Sequence, residues 1–530
     1  MSGRWVLAAA VSTVTLIAGA WWIGTSPAAV TDNASRTRLF EEVAQHIRRD
    51  YVDSLPDSTI YRRAIDGALR DLHDPHSIFL DPRRQASFEE KTSGQYGGVG
   101  LQMDVSENGL TVIGTLPGTP AEVAGIQTGD LLVAIEGKTT KGLTTDEASK
   151  LLRGAPGTEV HILIARDGVA EHMPITLTRK MVEVNPVQHA MIVHDDVGFV
   201  NLTIFSNSAG PELEHAIDSL RKAGARSLIL DLRGDPGGLL DEGVKVSDLF
   251  LDAGQPIVFT RGRSPTENLS LSDRAPQKWA GMPMIVLTDS NSASASEIVA
   301  GALQDHDRAL IVGTATYGKG SAQRLFKFSR GALKLTTALW FTPSGRSINR
   351  RRVGADDDVS NALAKANKDT TTARPKFRTD AGRTVLGGGG IVPDVEVPQR
   401  VATAADKALQ AALGKKVVLF RAALVDYALS LKSAHVIASR DFVVTDAMRN
   451  DLYKRLLARG VDLRRTLYDS AAPIISRVVA QQTSRYVFGP QAEYLRQLQQ
   501  DPTATRAFSL LHGVHSQKDL FARAMPTSAR

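Results

Sequence analysis

The 530-residue chain contains no cysteine. That absence removes disulfides, thiolate-bound zinc, cysteine nucleophiles and lipid anchoring through a cysteine, and it is compatible with an oxidising compartment, where a stray thiol is a hazard. No His-Glu-x-x-His pattern occurs either, which argues against a zinc peptidase. Basic residues outnumber acidic ones only 63 to 57, with no dense Lys/Arg run interleaved with aromatics, so nucleic acid is not an expected partner. Apolar residues at 42% and charged residues at 23% are ordinary for a globular protein and argue against wholesale disorder. The chain is too long for one hydrophobic core, so several domains are expected.

Long apolar runs are also scarce, with one exception. Trp5 to Gly24 carries no charged residue, a length that spans a bilayer as one helix. Arg4 precedes it, the first acidic residue after it is Asp32, and Trp21 and Trp22 sit where an interfacial belt falls. The alternative is a cleaved signal peptide, but the run is long for a signal core and Pro27 spoils the small-residue cleavage pattern. Residues 1–33 therefore read as a membrane anchor, and either reading exports the rest to the periplasmic or extracytoplasmic side, secreted if the segment is cleaved.

Residues 34–90 read as helical, with Leu39, Phe40, Val43, Ile47 and Tyr51 at three- and four-residue steps and Ile65, Ala68, Leu69 and Leu72 repeating the pattern. Such a stripe serves either plain helix packing or a homodimer face. Across 91–180 the pattern changes to short strands and glycine turns, opening on Gly97-Gly98-Val99-Gly100-Leu101. Successive N–H groups in such a loop hold a terminal carboxylate, and the neighbouring strand edge accepts an added peptide strand. From 181 to 400 strands and helices alternate as an α/β layered core, with strands at Val197–Ile204, Ser227–Leu232, Met284–Leu287 and Ala309–Gly313. Residues 351–382 are polar and read as an exposed loop, and 401–530 read as a helical extension, a structural or partner-binding appendix.

Three segments of the α/β region carry chemistry. In the first, a buried strand runs through Asp289-Ser290-Asn291-Ser292-Ala293-Ser294 into a helix start, where unpaired N–H groups stabilise an oxyanion. Ser294-x-x-Glu297 is also a capping box, helix-start serines commonly serve only as caps, and local chemistry does not choose Ser294 over Ser292 or Ser296. In the second, Lys319 lies between Gly318 and Gly320 after an apolar strand; a desolvated lysine there becomes a neutral base, whereas a solvated turn lysine does nothing. The third is the strand Leu228–Leu232 with the turn Gly234-Asp235-Pro236-Gly237-Gly238, whose glycines let backbone N–H groups approach a ligand. His306 would supply a histidine-based alternative, but it falls in the polar linker after the helix and reads as a solvated turn.

Two resemblances draw these pieces together. The glycine loop followed by the run from Gly118 to Lys138 resembles a PDZ domain over about eighty residues. Behind it, Leu230–Gly238, Ser292–Ile298 with Ala300–Asp305, Tyr317–Gly320, Phe341–Ile348 and Gly387–Asp394 resemble the C-terminal processing peptidases, or tail-specific proteases. The resemblance covers roughly residues 35–400. It implies a serine endopeptidase that captures substrate C-termini at Gly97–Leu101 and uses Ser294 as nucleophile, Lys319 as base and Gln323 to orient the lysine. It implies oxyanion donors at Ala295 and the Gly237–Gly238 turn, a link between bound peptide and protease at Arg153, and no metal or organic cofactor. Two departures stand out: Gly234-Asp235 occupies the place of an Asn-Asn or similar pair, and the extension after 401 is outside the minimal family pattern. The expected architecture is thus multidomain α/β plus β, comprising an anchor (1–33), a helical region (34–90), a PDZ domain (91–180), a protease core (181–400) and a helical extension (401–530). The competing functions are a catalytically silent PDZ scaffold at the membrane and a hydrolase of small esters or peptidoglycan crosslinks.

Overall fold

A computed structural model describes residues 27–106, 109–116, 118–166, 169–194, 196–350, 374–398 and 400–525. Contacts divide the chain into two compact units, residues up to Pro82 with Gln323–Thr336, and Arg83–Ala322 with Thr337–Arg530. The apolar run Trp5–Gly24 lies outside the described residues, and among these no helix is long and apolar enough to cross a membrane.

The first unit contains α1 (Pro27–Asp50), α2 (Asp57–Asp71) and β1 (Ile78–Leu80), which pairs antiparallel with Ala332–Lys334 of the inserted hairpin. Arg48 in the last turn of α1 pairs with Asp57 at the start of α2 (3.0 Å), so cation and anion each sit at the helix end whose dipole favours them. The stripe read from the sequence does not face a core here. Ala44 and Ile60 are buried, whereas Leu39, Val43, Ile47 and Tyr51 are all more than a third exposed.

In the second unit, α3 (Pro82–Ser93) leads into β2 (Gln95–Gly98), β3 (Leu101–Ser106), β4 (Gly109–Thr115), α4 (Pro120–Val123), β5 (Leu131–Ile135), β6 (Lys138–Thr139), α5 (Thr145–Leu152), β7 (Glu159–Ala165), β8 (Met173–Thr178) and β9 (Lys180–Glu183). The sheet order is β3-β4-β5-β7-β8, with β6 on β5 and a separate β2–β9 pair. Its core is Val99, Leu110, Val112, Leu132, Ile135, Leu152, Val160, Ile162 and Ile164. β3 stands at the sheet edge beside the glycine loop, the position from which a strand can accept another.

The chain then forms β10 (Val187–Val193), β11 (Val197–Leu202), α6 (Ala209–Lys222), β12 (Ser227–Asp231), α7 (Leu240–Asp248), β13 (Pro256–Gly262), β14 (Ser270–Ser272), β15 (Met284–Thr288), α8 (Ala295–Asp305) and β16 (Leu310–Gly313). After β17 (Ser321–Phe328) and β18 (Gly331–Phe341) come the hairpin β19 (Lys376–Arg378) and β20 (Thr384–Leu386), then β21 (Val395–Glu396). The central sheet runs β10-β11-β12-β15-β16-β21, parallel except for β10. Part of the expected 351–382 loop is therefore folded. Residues 351–373 lie outside the description, but β19 and β20 pair with Phe377 opposite Val385, a short hairpin that its polar composition concealed.

A parallel sheet must be covered on both faces, because its side chains alternate and both sets are apolar here. One set (Val200, Leu202, Leu228, Leu230, Val286) packs on Leu213, Ile217, Val246, Ile298 and Val299 of α6, α7 and α8. The other set (Phe199, Ile229, Ile285, Leu287, Leu310, Val312) packs on Leu498, Ala504, Ala507, Phe508, Leu511 and Leu520. Those last residues belong to α14 (Pro490–Gln499), α15 (Pro502–Leu511) and α16 (Gln517–Ala524), which follow α9 (Ala404–Leu413), α10 (Val417–Ser433), α11 (Asp446–Ala458), α12 (Arg465–Ser470) and α13 (Ala472–Phe488). The extension is thus no appendix: its last three helices are the second layer of the α/β core. Further up, Val425, Ala428 and Tyr486 of α10 and α13 cluster with Ile113 of β4. Phe508→Ala should cost about 3–5 kcal/mol in a urea melt of the whole chain; a loss under about 1 kcal/mol would mean that these helices do not carry the core.

Candidate active site

β15 ends at Thr288, and residues 289–294 turn the chain into α8. Asp289 shapes that turn, its Oδ1 accepting the N–H groups of Asn291 (2.9 Å) and Ser292 (3.1 Å). Ser294 emerges with φ 57° and ψ −112°. A non-glycine residue holds such a conformation at a cost of about 1–3 kcal/mol, repaid by the surrounding structure and typical of a side chain aimed from a strand-to-helix turn. The neighbouring serines are committed elsewhere. Ser292 and Ser296 are fully buried, the first donating to the Leu232 carbonyl (2.8 Å) and the second to the Asp235 carbonyl (3.0 Å). Ser294 is the partly accessible member of the three.

Glu297, in the first turn of α8, joins the serine loop to the lysine loop. Its Oε2 accepts the backbone N–H of Ser294 (2.8 Å) and of Lys319 (2.9 Å). Its Oε1 accepts the Thr316 hydroxyl (2.6 Å) and the Gly318 N–H (2.7 Å). The side chain is wholly buried; burial pushes the carboxyl up, and these four donors pull it back toward the ionised form. Sequence reasoning read Glu297 only as a helix cap. Its reach to residues 316–319 had no local signal. A direct bond from the Tyr317 N–H to the Ser292 carbonyl (3.0 Å) adds to the clamp. Gly318 (φ 88°) is required by crowding, since a Cβ there would lie 2.9 Å from the Arg350 side chain.

The turn after β12 closes the third side. The Ala293 N–H donates to the Asp235 carbonyl (3.0 Å) and the Gly234 N–H to Asp289 Oδ1 (3.0 Å). Gly237 (φ 88°) presses on the serine, and a Cβ on it would lie 2.4 Å from the Ala293 carbonyl oxygen and 2.8 Å from Ser294 Cβ. Its own N–H, a candidate oxyanion donor by sequence, is turned inward to Asp235 Oδ1 (2.7 Å). Phe205 bonds to the Gly237 carbonyl and the Leu239 N–H, so the peptide groups of Gly238 between them face away from Phe205. Ala295 opens α8, where first-turn N–H groups lack intrahelical partners. Arg233 anchors the turn from behind, bonding both Asp231 oxygens (2.8 Å each) and Asp501 at the start of α15 (2.5 Å). Burial opposes its charge and the two carboxylates override it, holding the guanidinium more firmly protonated than usual.

The remaining sequence candidates fall elsewhere. Gly98, Val99 and Gly100 are buried at the β2–β3 corner with Gly97 and Leu101 half-buried, and Gly100 (φ 76°) lies against Thr119. Arg153, exposed at the end of α5, pairs with Glu90 of α3 (3.0 Å) and lies over the Tyr96 ring (4.4 Å). Gln323 belongs to the first unit, where its Nε2 donates to Thr336 Oγ1 (3.2 Å). His306 is not the solvated turn residue expected. Its side chain is buried at the C-terminal end of α8, bonded to Asp380 Oδ2 and the Pro256 carbonyl (2.7 Å each), about 18 Å along the helix from Ser294. Among the described residues no group of His, Cys, Asp and Glu is arranged to hold a metal ion.

A fold of this kind, with a PDZ-type sheet ahead of an α/β core, is matched by comparison. A model of peptidase family S41 matches residues 196–360, and a PDZ-domain model matches 112–166. The chain is 37% identical over 346 residues to the carboxy-terminal-processing protease of Bartonella bacilliformis, an alignment covering 64% of this chain and 79% of that one. It is 33% identical over 310 residues to the carboxy-terminal processing protease CtpA of Bacillus subtilis, covering 58% and 66%. Among solved structures, the photosystem II D1 C-terminal processing protease is 27% identical, with 68% and 92% covered and a TM-score of 0.36. The chain belongs to peptidase family S41, the serine-type carboxy-terminal processing proteases.

Glu297→Gln replaces one of the two acceptor oxygens by a donor at a site where all four partners donate. The variant should stay folded by circular dichroism yet lose at least about tenfold in casein cleavage, while Glu297→Ala, which strands four donors at about 1–3 kcal/mol each, should also lower the melting point steeply. Full activity in Glu297→Gln would show that the clamp is dispensable.

Proposed function

We propose that the protein is an endopeptidase that binds substrate C-terminal tails at its PDZ domain and cleaves peptide bonds through Ser294 and Lys319. The observation that carries this reading is the single carboxylate oxygen of Glu297 that receives the backbone N–H of both residues. It fixes a nucleophile-bearing residue and a base-bearing residue that are 25 positions apart in the chain. Neutral Lys319 takes the Ser294 hydroxyl proton, Ser294 attacks the substrate carbonyl, and the amine leaves with a proton from the lysine. Water then attacks the acyl-enzyme by the same relay. The Ala295 and Gly238 N–H groups receive the oxyanion.

The substrate tail adds as a strand along β3, its carboxylate at Gly97–Gly100. Arg153 then relays occupancy of the PDZ groove: it grips Glu90 of α3, and the Thr92 carbonyl at the end of that helix accepts the Asn207 N–H beside Phe205, which holds the Gly237–Gly238 turn. The N-terminal apolar run tethers the enzyme with its catalytic part exported. Lys319→Ala should abolish cleavage of an unstructured C-terminal tail while leaving tail binding intact by fluorescence anisotropy. Undiminished turnover by that variant would sink the Ser–Lys assignment.

A further inference from the structure

Asp235, in the turn that carries Gly237 and Gly238, has no role in the reaction as described. Its side chain is fully buried. Oδ1 accepts the Gly237 N–H (2.7 Å), and Oδ2, equally buried, has no hydrogen-bond partner. Every other polar group of the residue is used: its N–H donates to Leu232, and its carbonyl accepts from Ala293 and Ser296. A buried carboxylate oxygen with nothing to bond is among the costliest groups a protein can hold, and neutralisation is the usual escape.

Surrounding charges do not offset that cost. Arg233, on the same turn, is directed at Asp231 and Asp501. Asp289, on the serine loop, holds Gly234, Asn291 and Ser292. On α8, Glu297 is saturated by its four donors, and on α7, Glu242 is taken by Gly210 and Lys245. Burial pushes the Asp235 carboxyl well above the ordinary 3.8, and the Gly237 N–H pulls it back only in part.

We infer that Asp235 works as a neutral carboxylic acid that positions the oxyanion turn against Ser294, and that its ionisation disarms the site. In the neutral form it holds the Gly237 N–H and keeps the turn closed. Loss of the proton leaves a full negative charge in the turn that must bind an oxyanion, and an unsolvated oxygen that draws the turn open toward water. Gly237 passes that movement directly to the serine, because it packs against Ser294 and Ala295 without room for a Cβ. The inference rests on the serine–lysine reading above. Deprotonation of Lys319 makes activity rise with pH, and ionisation of Asp235 ends that rise, so the enzyme works within a window bounded by two groups.

The test compares full-length wild type with Asp235→Asn, whose amide keeps the shape and the neutral charge. The pH profile of kcat/KM on an unstructured peptide should fall for wild type on the alkaline side, by about 10- to 100-fold, the scale of a disabled oxyanion donor. For Asp235→Asn that alkaline limb should vanish. Superimposable profiles, or a wild-type profile that only rises to a plateau, would overturn the inference. A Ser294→Ala control that still cleaves would instead overturn the serine–lysine reading, so the two failures are distinguishable. Stability supplies a readout that needs no turnover. A raised carboxyl pKa makes the folded state lose stability as pH climbs from the unfolded value toward the folded one, so the melting-point advantage of Asp235→Asn should widen steadily above pH about 4. An advantage that does not change with pH would contradict a neutral Asp235.

Discussion

The site depends on one buried carboxylate. Glu297 is anchored in α8, whose apolar face is locked into the sheet by Ile298, Val299 and Leu303, so its position is fixed by the core itself. From there it collects donors from the serine loop and the lysine loop, which the Tyr317–Ser292 backbone bond also joins. Four donors on two oxygens satisfy an ionised carboxylate without any cation. That arrangement holds the backbone of the lysine loop through Glu297 itself.

The same economy appears in the oxyanion turn. Its conformation is set on one side by contact with the serine and on the other by Arg233, which ties the end of β12 to Asp501 on α15. The C-terminal helices therefore contribute twice. They cover the second face of a sheet whose apolar residues would otherwise meet water, and they brace Arg233, which precedes the Gly234–Gly238 turn. The helices before them pack on the PDZ domain through Val425, Ala428 and Tyr486, so one extension touches both that domain and the core.

Much of this was legible in the sequence, for identifiable reasons. The strands of the core are unbroken apolar runs, which is how a parallel sheet buried on both faces reads, and four of the five parallel strands were found that way. The very short β21 was not. The region 401–530 read as helical, but the place of α14–α16 against the sheet did not show. The buried sheet residues they cover, Phe199 to Val312, are far away in the chain, so no local pattern reports the contact. Ser294 and Lys319 were nameable only through order, spacing and family resemblance. Singly, each has an ordinary structural explanation. Glu297 was read as a helix cap, which it is, while its further reach to Thr316, Gly318 and Lys319 has no local signal. Asp235 was noticed as a departure, while its unpartnered oxygen is a property of packing alone.

Ser294 is the strained, partly accessible serine of a crowded junction, and the proposed mechanism makes Lys319 its partner. The most direct measurement is peptide mapping after labelling with a fluorophosphonate, on wild type and on Lys319→Met. The account predicts an adduct on Ser294 in wild type and its loss in the variant. An adduct on Ser290, Ser292 or Ser296, or labelling of Ser294 that is indifferent to the lysine, would contradict it.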